Sequence, residues 1–144
     1  MDQQTGPAKR RVLITSYGTL HGDAPEPFFH GMAPVQIDVT TALRNPHDDP
    51  AMRHQTGLDA DVYEHVLATP GAADIIEDAL AEILGRFEDG QEAVEVHAYC
   101  RGGRHRSVAL ARALDTALAG RGIETDTVHR DVDKPVVQPV AKEA

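Results

Sequence analysis

The stretch EVHAYCRGGRHRSVALARALDTAL, residues 95–118, decides the fold of this chain. Apolar and polar residues alternate in the lead-up to Cys100, as in a strand with one face toward a core. Two glycines follow, and apolar residues then recur at helical spacing as far as Leu118. The stretch therefore predicts a β-strand, a tight turn and an α-helix in direct succession.

The turn between this strand and helix has the chemistry of an anion site. Gly102 and Gly103 can adopt backbone conformations that point consecutive N–H groups at one place, and the N-terminus of the next helix adds unpaired donors and a positive dipole end. The same segment carries four basic residues and a serine, which are Arg101, Arg104, His105, Arg106 and Ser107. Because open α/β sheets bind ligands at the carboxyl ends of their strands, we predict a phosphate-like or sugar-phosphate ligand here.

Four strands and three helices follow from the pattern of the whole chain. The predicted strands are 11–17, 35–39, 93–100 and 123–128, and the predicted helices are 60–69, 72–87 and the segment from the glycine turn to Leu118. Strands that alternate with helices indicate one small α/β domain, with a mostly parallel four-stranded sheet and helices on both faces. We expect residues 11–134 to form this domain, 1–10 a disordered lead-in and 135–144 a flexible tail.

Two long loops connect the first elements. Residues 19–34 contain too many glycines and prolines for a regular element, and Phe28 and Phe29 are expected to anchor them. Residues 40–58 are polar over a length that more often marks a binding loop than an idle connection. The polar candidates in this second loop are Asn45, His47, Asp48 and Asp49. Asp59 or a neighbour is expected to cap the helix that follows.

The last predicted strand leads into His129, Arg130 and Asp131. Since the carboxyl ends of parallel strands meet at one edge of a sheet, His129 and Arg130 are candidates to join the anion site. The simpler interpretation is that these charges pair locally at the end of the strand. The sequence leaves both possibilities open.

Composition excludes several classes of function. The net charge of -9 argues against indiscriminate binding of nucleic acid, which needs many cationic contacts to phosphate. One cysteine excludes an intrachain disulfide and fits a reducing compartment, and no apolar run is long enough to cross a bilayer. We therefore expect a soluble, cytoplasmic protein that does not bind membranes.

Cofactor sites are not expected either. None of the eight histidines falls in an HxH, HxxxH or HExxH arrangement, so the sequence predicts no metal site. The Gly-x4-Gly-Lys-Ser/Thr loop that holds ATP phosphates is absent from the sequence. We expect no resident cofactor.

Cys100 opens a different possibility. The spacing from Cys100 to Arg106 and Ser107 matches the pattern of cysteine phosphatases, a cysteine, five residues, an arginine and a serine or threonine. In that chemistry a thiolate attacks phosphorus while the arginine and backbone N–H groups hold the phosphate oxygens. Tyr99 stands where a histidine usually precedes such a cysteine, and no aspartate can be assigned as general acid. A buried, unreactive cysteine is the alternative.

Residues 100–108, CRGGRHRSV, resemble the signature Cys-Thr-Gly-Gly-x-His-Arg-Ser-Val of the C-terminal domain of the RapZ proteins. Five further segments agree in the same order, Ser16-Tyr17-Gly18, Ile37-Asp38-Val39, Asn45-Pro46-His47, Thr56-Gly57-Leu58-Asp59 and His129-Arg130. The likeness extends from Val12 to Lys134.

The resemblance implies an α/β domain of phosphofructokinase-like character that binds glucosamine-6-phosphate and, in the full-length protein, recognises small RNAs and forms oligomers. The residues that it implies for the sugar-phosphate pocket are His47, Gly102, Gly103, His105 and Arg106, with Asn45, Asp38 and Thr56 as weaker candidates. It does not extend to the nucleotide-binding N-terminal half of those proteins, so binding of ATP or GTP at that half is not carried over.

Two departures bear on the ligand and on RNA. Arg101 replaces the threonine of the signature, and Thr40 replaces an arginine after Asp38-Val39, as if positive charge had moved across the pocket. The basic C-terminal cluster of RNA-binding members has no counterpart here. Together with the net charge, this argues against RNA binding.

We therefore expect a binding domain that senses a phosphorylated sugar or a similar anion and acts as a regulatory adapter through protein contacts, without covalent chemistry. A homo-oligomer is compatible with the resemblance. A cysteine-dependent phosphatase that uses Cys100 and Arg106 is the first alternative, and an RNA-binding adapter is the second.

Overall fold

The computed structural model describes residues 10–43 and 49–136. The strands are β1 (Arg11–Gly18), β2 (Val35–Asp38), β3 (Ala93–Cys100) and β4 (Glu124–His129), and the helices are α1 (Ala60–Leu67), α2 (Ala72–Glu88) and α3 (Arg106–Ala119). A single 3-10 turn, Thr19–His21, follows β1. The prediction of one small α/β domain is confirmed, and each predicted helix and strand is present within a few residues of its expected bounds.

All neighbouring strands are parallel, in the order β2-β3-β1-β4. Gly18 pairs with Cys100, Asp38 pairs with Tyr99, and Ser16 pairs with His129. The carboxyl ends of the four strands therefore meet at one edge of the sheet.

The expected placement of helices on both faces needs correction, because α1, α2 and α3 contact one another and so share one face. Strand order explains the difference. The connections from β2 to β3 and from β3 to β4 run in the same direction across the sheet, whereas the connection from β1 to β2 runs the opposite way. Right-handed crossovers put the first two connections on one face and the third on the other. That third connection is residues 19–34, which have no α-helix.

The hydrophobic core lies between the sheet and the helices. Alternate strand residues point into it and pack against the apolar stripes of the helices. Side chains that are fully buried there include Ile14, Val94 and Val96 from the sheet and Ile83, Leu110, Leu114 and Leu118 from the helices. Aliphatic side chains thus supply most of the core of a chain that has no Trp.

The opposite face is covered by residues 19–34. Glu95 on β3 lies under this segment, and its Oε1 accepts hydrogen bonds from the N–H groups of Phe28 at 2.7 Å and Phe29 at 3.3 Å. The expectation that the two phenylalanines anchor the loop holds for their backbone, but the Phe28 side chain is 68% exposed. A buried carboxylate therefore holds the loop that takes the place of a helix.

One local detail differs from the expectation, and it concerns the N-cap of α1. Asp59 occupies the N-cap position of α1, but its carboxylate accepts the N–H of Thr56 at 2.8 Å, and it makes no side-chain bond to the helix among the described residues. Within residues 10–43 and 49–136, no helix is both long and apolar enough to span a bilayer. The phosphofructokinase-like character stays a prediction.

Candidate functional site

The glycine turn, residues 101–105, joins β3 to α3 and packs directly against the end of β1. A Cβ atom built on Gly103 would lie 2.4 Å from the backbone N of Gly18, and one built on Gly18 would lie 2.3 Å from the carbonyl carbon of Gly102. Gly103 also has φ of +68°, a conformation that costs other L-residues energy. Hydrogen atoms in place of side chains at Gly18 and Gly103 therefore permit the contact.

Topology makes this edge a natural crevice. From the end of β3 the chain passes to the helix-covered face, and from the end of the neighbouring β1 it passes to the opposite face. Ligands of open α/β sheets bind where adjacent strands send their connections in opposite directions. The glycine turn stands at that point.

Several N–H donors collect at the turn. Among the described residues, the backbone N–H groups of Gly102 and Arg104 have no hydrogen-bond acceptor. The N-terminus of α3 follows, with no acidic residue in its first turn and no side-chain cap from the described part of the chain. Unpaired donors at a helix N-terminus attract anions.

Arg106 is the first residue of α3 and is buried, with 4% of its surface exposed. Its Nη1 donates to the carbonyl of Ala42 at 3.1 Å and approaches the carbonyl of Thr40 at 3.5 Å. The guanidinium therefore spans from the glycine turn to the loop that follows β2.

Cys100 lies beneath the turn with 2% of its surface exposed. Its thiol donates to Oγ of Ser107 at 3.2 Å, and its sulfur accepts the N–H of Gly103 at 3.3 Å. Cys100 and Ser107 thus tie the two ends of the turn together. The Gly103 N–H, which the sequence assigned to a ligand, points to this sulfur.

The side chains of Arg104 and His105 bind the backbone of residues 52–57. Arg104 donates from Nε to the carbonyl of Gln55 at 3.0 Å and from Nη2 to the carbonyl of His54, and it also reaches the carbonyl of Lys134. Nε2 of His105 lies 3.1 Å from the carbonyl of Met52. These two residues fasten a neighbouring loop to the turn, and their contact with a ligand stays a prediction.

The remaining candidates differ in their surroundings. Arg101 is exposed, and its carbonyl accepts the N–H of Leu20. Oδ1 of Asp38 accepts the N–H and the hydroxyl of Thr40 at 2.9 and 2.7 Å. The hydroxyl of Thr56 accepts the N–H of Leu58 in a local turn. Asn45 and His47 lie outside the described residues, so their predicted roles stay predictions.

The charges after β4 pair internally. Arg130 binds the carboxylate of Asp131 through Nε and Nη2, and its Nη1 donates to the carbonyl of Asp23 at 2.6 Å. His129 Nδ1 lies 2.7 Å from the hydroxyl of Ser16. Burial, followed by the positive charge of Arg112, lowers the pKa of His129. The local pairing that the sequence left open is present, and a role of His129 or Arg130 toward a ligand stays a prediction.

Asp131 is the last residue of the charged run after β4, for which the sequence offered local pairing as the simpler interpretation. It is fully buried, its Oδ2 accepts the N–H of Gly18 at 2.8 Å, and its Oδ1 lies 2.7 Å from Nζ of Lys134. Burial raises its pKa, but the hydrogen bonds from Arg130, Lys134 and Gly18 outweigh that effect and lower the pKa to about 2. The carboxylate therefore remains ionised and fixes the end of β1 against the glycine turn. The three-residue run His129-Arg130-Asp131 was the available signal.

Known proteins match nearly all of the residues that the structure describes. The family model for the RapZ C-terminal domain matches residues 10–133. A nucleotide-binding protein of Streptomyces coelicolor is 40% identical over 132 residues, which cover 86% of this chain and 40% of that protein. One of Rhodospirillum centenum is 36% identical over 140 residues, which cover 93% of this chain and 40% of that protein. The chain thus spans about two fifths of the length of these curated relatives.

Proposed function

Because this chain belongs to the RapZ C-terminal domain family, we propose that it binds a phosphorylated sugar at the carboxyl edge of its sheet and acts as a regulatory adapter. The phosphate would contact the glycine turn, the N-terminus of α3 and Arg106. The sugar would extend toward the loop after β2. The chain would bind this ligand without forming or breaking a covalent bond.

The observation that carries this proposal is the glycine turn itself. N–H groups of Gly102 and Arg104 that have no acceptor among the described residues stand at the crevice between β1 and β3, next to a helix N-terminus. The buried guanidinium of Arg106 adds a positive charge there, in a chain whose net charge is -9. Such a combination stabilises a bound anion through charge-assisted hydrogen bonds.

The names of the curated relatives do not carry this proposal. Those of Streptomyces coelicolor and Rhodospirillum centenum are called nucleotide-binding proteins. The resemblance attributes nucleotide binding to the N-terminal half of such proteins, so the proposal rests on the glycine turn and not on those names.

The surroundings of Cys100 favour binding over catalysis. The thiol is buried and bonded to Ser107, so its sulfur does not face solvent. Asp131, the carboxylate nearest in sequence to the end of β4, has a pKa of about 2 and is ionised near neutral pH. A general acid must carry a proton near the working pH, so Asp131 is unsuited to protonate a leaving group.

Arg106→Ala provides the test. We expect the variant to weaken binding of inorganic phosphate and of sugar phosphates by about 1.5 to 3 kcal/mol, the range for hydrogen bonds to charged groups. Isothermal titration calorimetry measures the change. Arg121→Ala removes the same charge from an exposed position beyond the C-terminal end of α3 and should leave the affinity unchanged.

Equal affinity in Arg106→Ala and the parent would remove Arg106 from the site, and an equal loss in Arg121→Ala would reduce the effect to net charge. A chromogenic phosphate ester separates binding from catalysis. Turnover that disappears in Cys100→Ser would establish the phosphatase instead.

A further inference from the structure

Strand β4 lies at one edge of the sheet and pairs only with β1 among the described strands. At its start the N–H of Glu124 donates to the carbonyl of Arg10 at 3.3 Å, and just past its end the N–H of Arg130 donates to the carbonyl of Ser16 at 2.9 Å. Because backbone groups of a strand alternate between its two sides, the even-numbered residues bond to β1 and the odd-numbered ones point outward. The outward N–H and C=O groups, which have no hydrogen-bond partner among the described residues, belong to Thr125, Thr127 and His129.

The edge is held in an extended shape from the helix-covered face. The hydroxyl of Thr125 donates to Oδ1 of Asp115 on α3 at 2.6 Å, and the hydroxyl of Thr127 donates to Oδ2 at 2.7 Å. One carboxylate therefore fixes two alternate residues of β4. Since the edge is already extended, less conformational entropy is lost when another strand pairs with it.

The usual protection of a sheet edge is missing from β4. Natural edges are commonly blocked by proline, lysine or a β-bulge. The strand ETDTVH, residues 124–129, contains neither proline nor lysine, and its register with β1 runs without interruption. The backbone of β4 is therefore free to accept a further strand.

The side chains beside this edge are acidic and apolar. Because Thr125 and Thr127 point to α3, the exposed residues Glu124, Asp126 and Val128 lie on the face without α-helices. A groove of about 300 Å³ adjoins them, with Leu13, Phe28 and Phe29 in its lining. Glu124 pairs with Arg11 at 3.4 Å, whereas Asp126 forms no ion pair with the described residues. An apolar groove with a carboxylate at its rim is complementary to a long side chain that ends in a positive charge.

We propose that β4 binds an extended, basic segment of a partner protein, which joins the sheet as a fifth strand. The outward backbone groups of β4 would bond to the backbone of that segment, as in other cases of strand addition. A lysine or arginine of the segment would place its aliphatic stem along the groove and its charge at Asp126. This inference rests on the adapter role in the proposed function and is independent of the phosphate ligand.

Charge favours such a partner over a second copy of this chain. Two copies joined along β4 about a two-fold axis normal to the sheet would bring Glu124 and Asp126 of both copies to the same face. Like charges on neighbouring strands destabilise their pairing, and each copy has a net charge of -9. A basic segment replaces this repulsion with attraction.

Peptide binding provides the test. Calorimetry would measure the affinity of the 144-residue chain for a blocked peptide of alternating lysine and valine, about six residues long like a typical strand. A peptide with glutamate in place of lysine should not bind. Two further basic peptides carry methyl groups on the backbone nitrogens of either the valines or the lysines, and at least one of them should lose binding because it cannot donate to the β4 edge. Equal affinity of all three basic peptides would overturn the proposal.

Asp126→Lys is the decisive variant. It should weaken binding of the basic peptide roughly 2- to 30-fold, because an attractive cross-strand pair becomes a repulsive one. Asp78→Lys makes the same change in net charge at an exposed position on α2 and should bind the peptide like the parent. An equal loss in the two variants would reduce the effect to net charge and overturn the assignment to β4.

Amide hydrogen exchange of the parent chain locates the peptide without any substitution. The peptide should slow exchange at the outward amides of Thr125, Thr127 and His129, and protection elsewhere with none at these amides would contradict strand addition. A dimer of the chain alone that protects the same amides would assign the edge to a second copy instead. Arg106→Ala should bind the peptide like the parent, so failure of peptide binding would overturn this inference and leave the phosphate site unaffected.

Discussion

The two faces of the sheet are built on different principles. The face toward α1, α2 and α3 is aliphatic, and its order follows from the periodicity of strands and helices. The opposite face holds Glu95, His97 and Tyr17, all at least 96% buried, beneath a segment without an α-helix. On the first face burial of apolar area supplies the stability, whereas on the second the buried polar groups depend on particular hydrogen-bond partners.

The difference explains where the candidate site lies. An aliphatic layer has few hydrogen-bonding groups for a ligand. On the opposite face the buried polar groups are already bonded to partners within the protein. The glycine turn stands where the two faces meet, with α3 on one side and the Tyr17 and Tyr99 stack on the other. A ligand there can use the rigidity of the first face and the polar groups of the second.

The largest effect is expected on the helix-covered face. Leu114 on α3 has no exposed surface, so Leu114→Ala should lower the free energy of unfolding by about 3 to 4 kcal/mol through lost burial and a residual cavity. Denaturant unfolding measures this. Leu58→Ala removes the same atoms at a position that is 50% exposed and should cost less than about 0.5 kcal/mol. Similar costs at the two sites would contradict the assignment of the core.

At the junction of the faces, two adjacent glycines should respond differently. Gly103→Ala forces a Cβ into the backbone of Gly18 at positive φ, and we expect a loss of about 2 to 3 kcal/mol in stability together with weaker phosphate binding. Gly102→Ala meets nothing within 4 Å and should be tolerated in stability. Thermal unfolding and phosphate titration measure the stability and the phosphate affinity of both variants. If Gly103→Ala kept the stability of the parent, the turn would not need its close contact with Gly18.

On the face without α-helices, Glu95→Ala removes the acceptor of two backbone N–H groups and the partner of His97, whose Nε2 lies 3.0 Å from Oε2. Leaving buried donors without an acceptor should cost about 2 kcal/mol, and Glu95→Gln should cost less because it keeps one oxygen. Amide hydrogen exchange should localise the loss to residues 19–34. Glu26→Ala, an exposed carboxylate in that segment, serves as the control. A uniform rise in exchange across the sheet would contradict the assigned role.

The smallest expected effect depends on pH. The pKa of Asp131 falls from 3.8 to about 2 on folding, so its carboxylate stabilises the fold fully above the unfolded pKa and loses that contribution as the pH falls toward 2. Asp131→Asn should therefore lower stability by about 2 kcal/mol or less at neutral pH, and the gap to the parent should narrow in acid. Unfolding curves at several pH values test this. A gap that stays constant with pH would show that the charge is not the cause.

Much of the fold could be predicted from local pattern. The alternation in β3, the stripe of α2 and the apolar spacing after the glycine turn each depend on neighbours in sequence, and the structure has them where the pattern indicated. The glycine turn was found for the same reason, because strand, turn and helix are contiguous. The placement of helices on one face could not be predicted, since it depends on the order of strands across the sheet.

The candidate site was predictable in its location and less so in its contacts. Charge and spacing pointed to residues 101–107, but they could not show that Arg104 binds the carbonyl of Gln55 or that Arg130 binds the carbonyl of Asp23. Those partners are distant in sequence, so a local pattern cannot assign them. Glu95 and His97 occupy polar positions of an alternating strand, so the pattern alone predicts that they are exposed. In the structure residues 19–34 cover them.

The sequence by itself determined the strands, the helices and a glycine turn rich in N–H donors, because these follow from periodicity and from backbone freedom at neighbouring residues. Only the tertiary structure decided which face the helices cover and which basic groups serve the fold. It alone brought Tyr17, Tyr99 and Arg130 into one stack, because strands far apart in the chain become neighbours only through the order of the sheet.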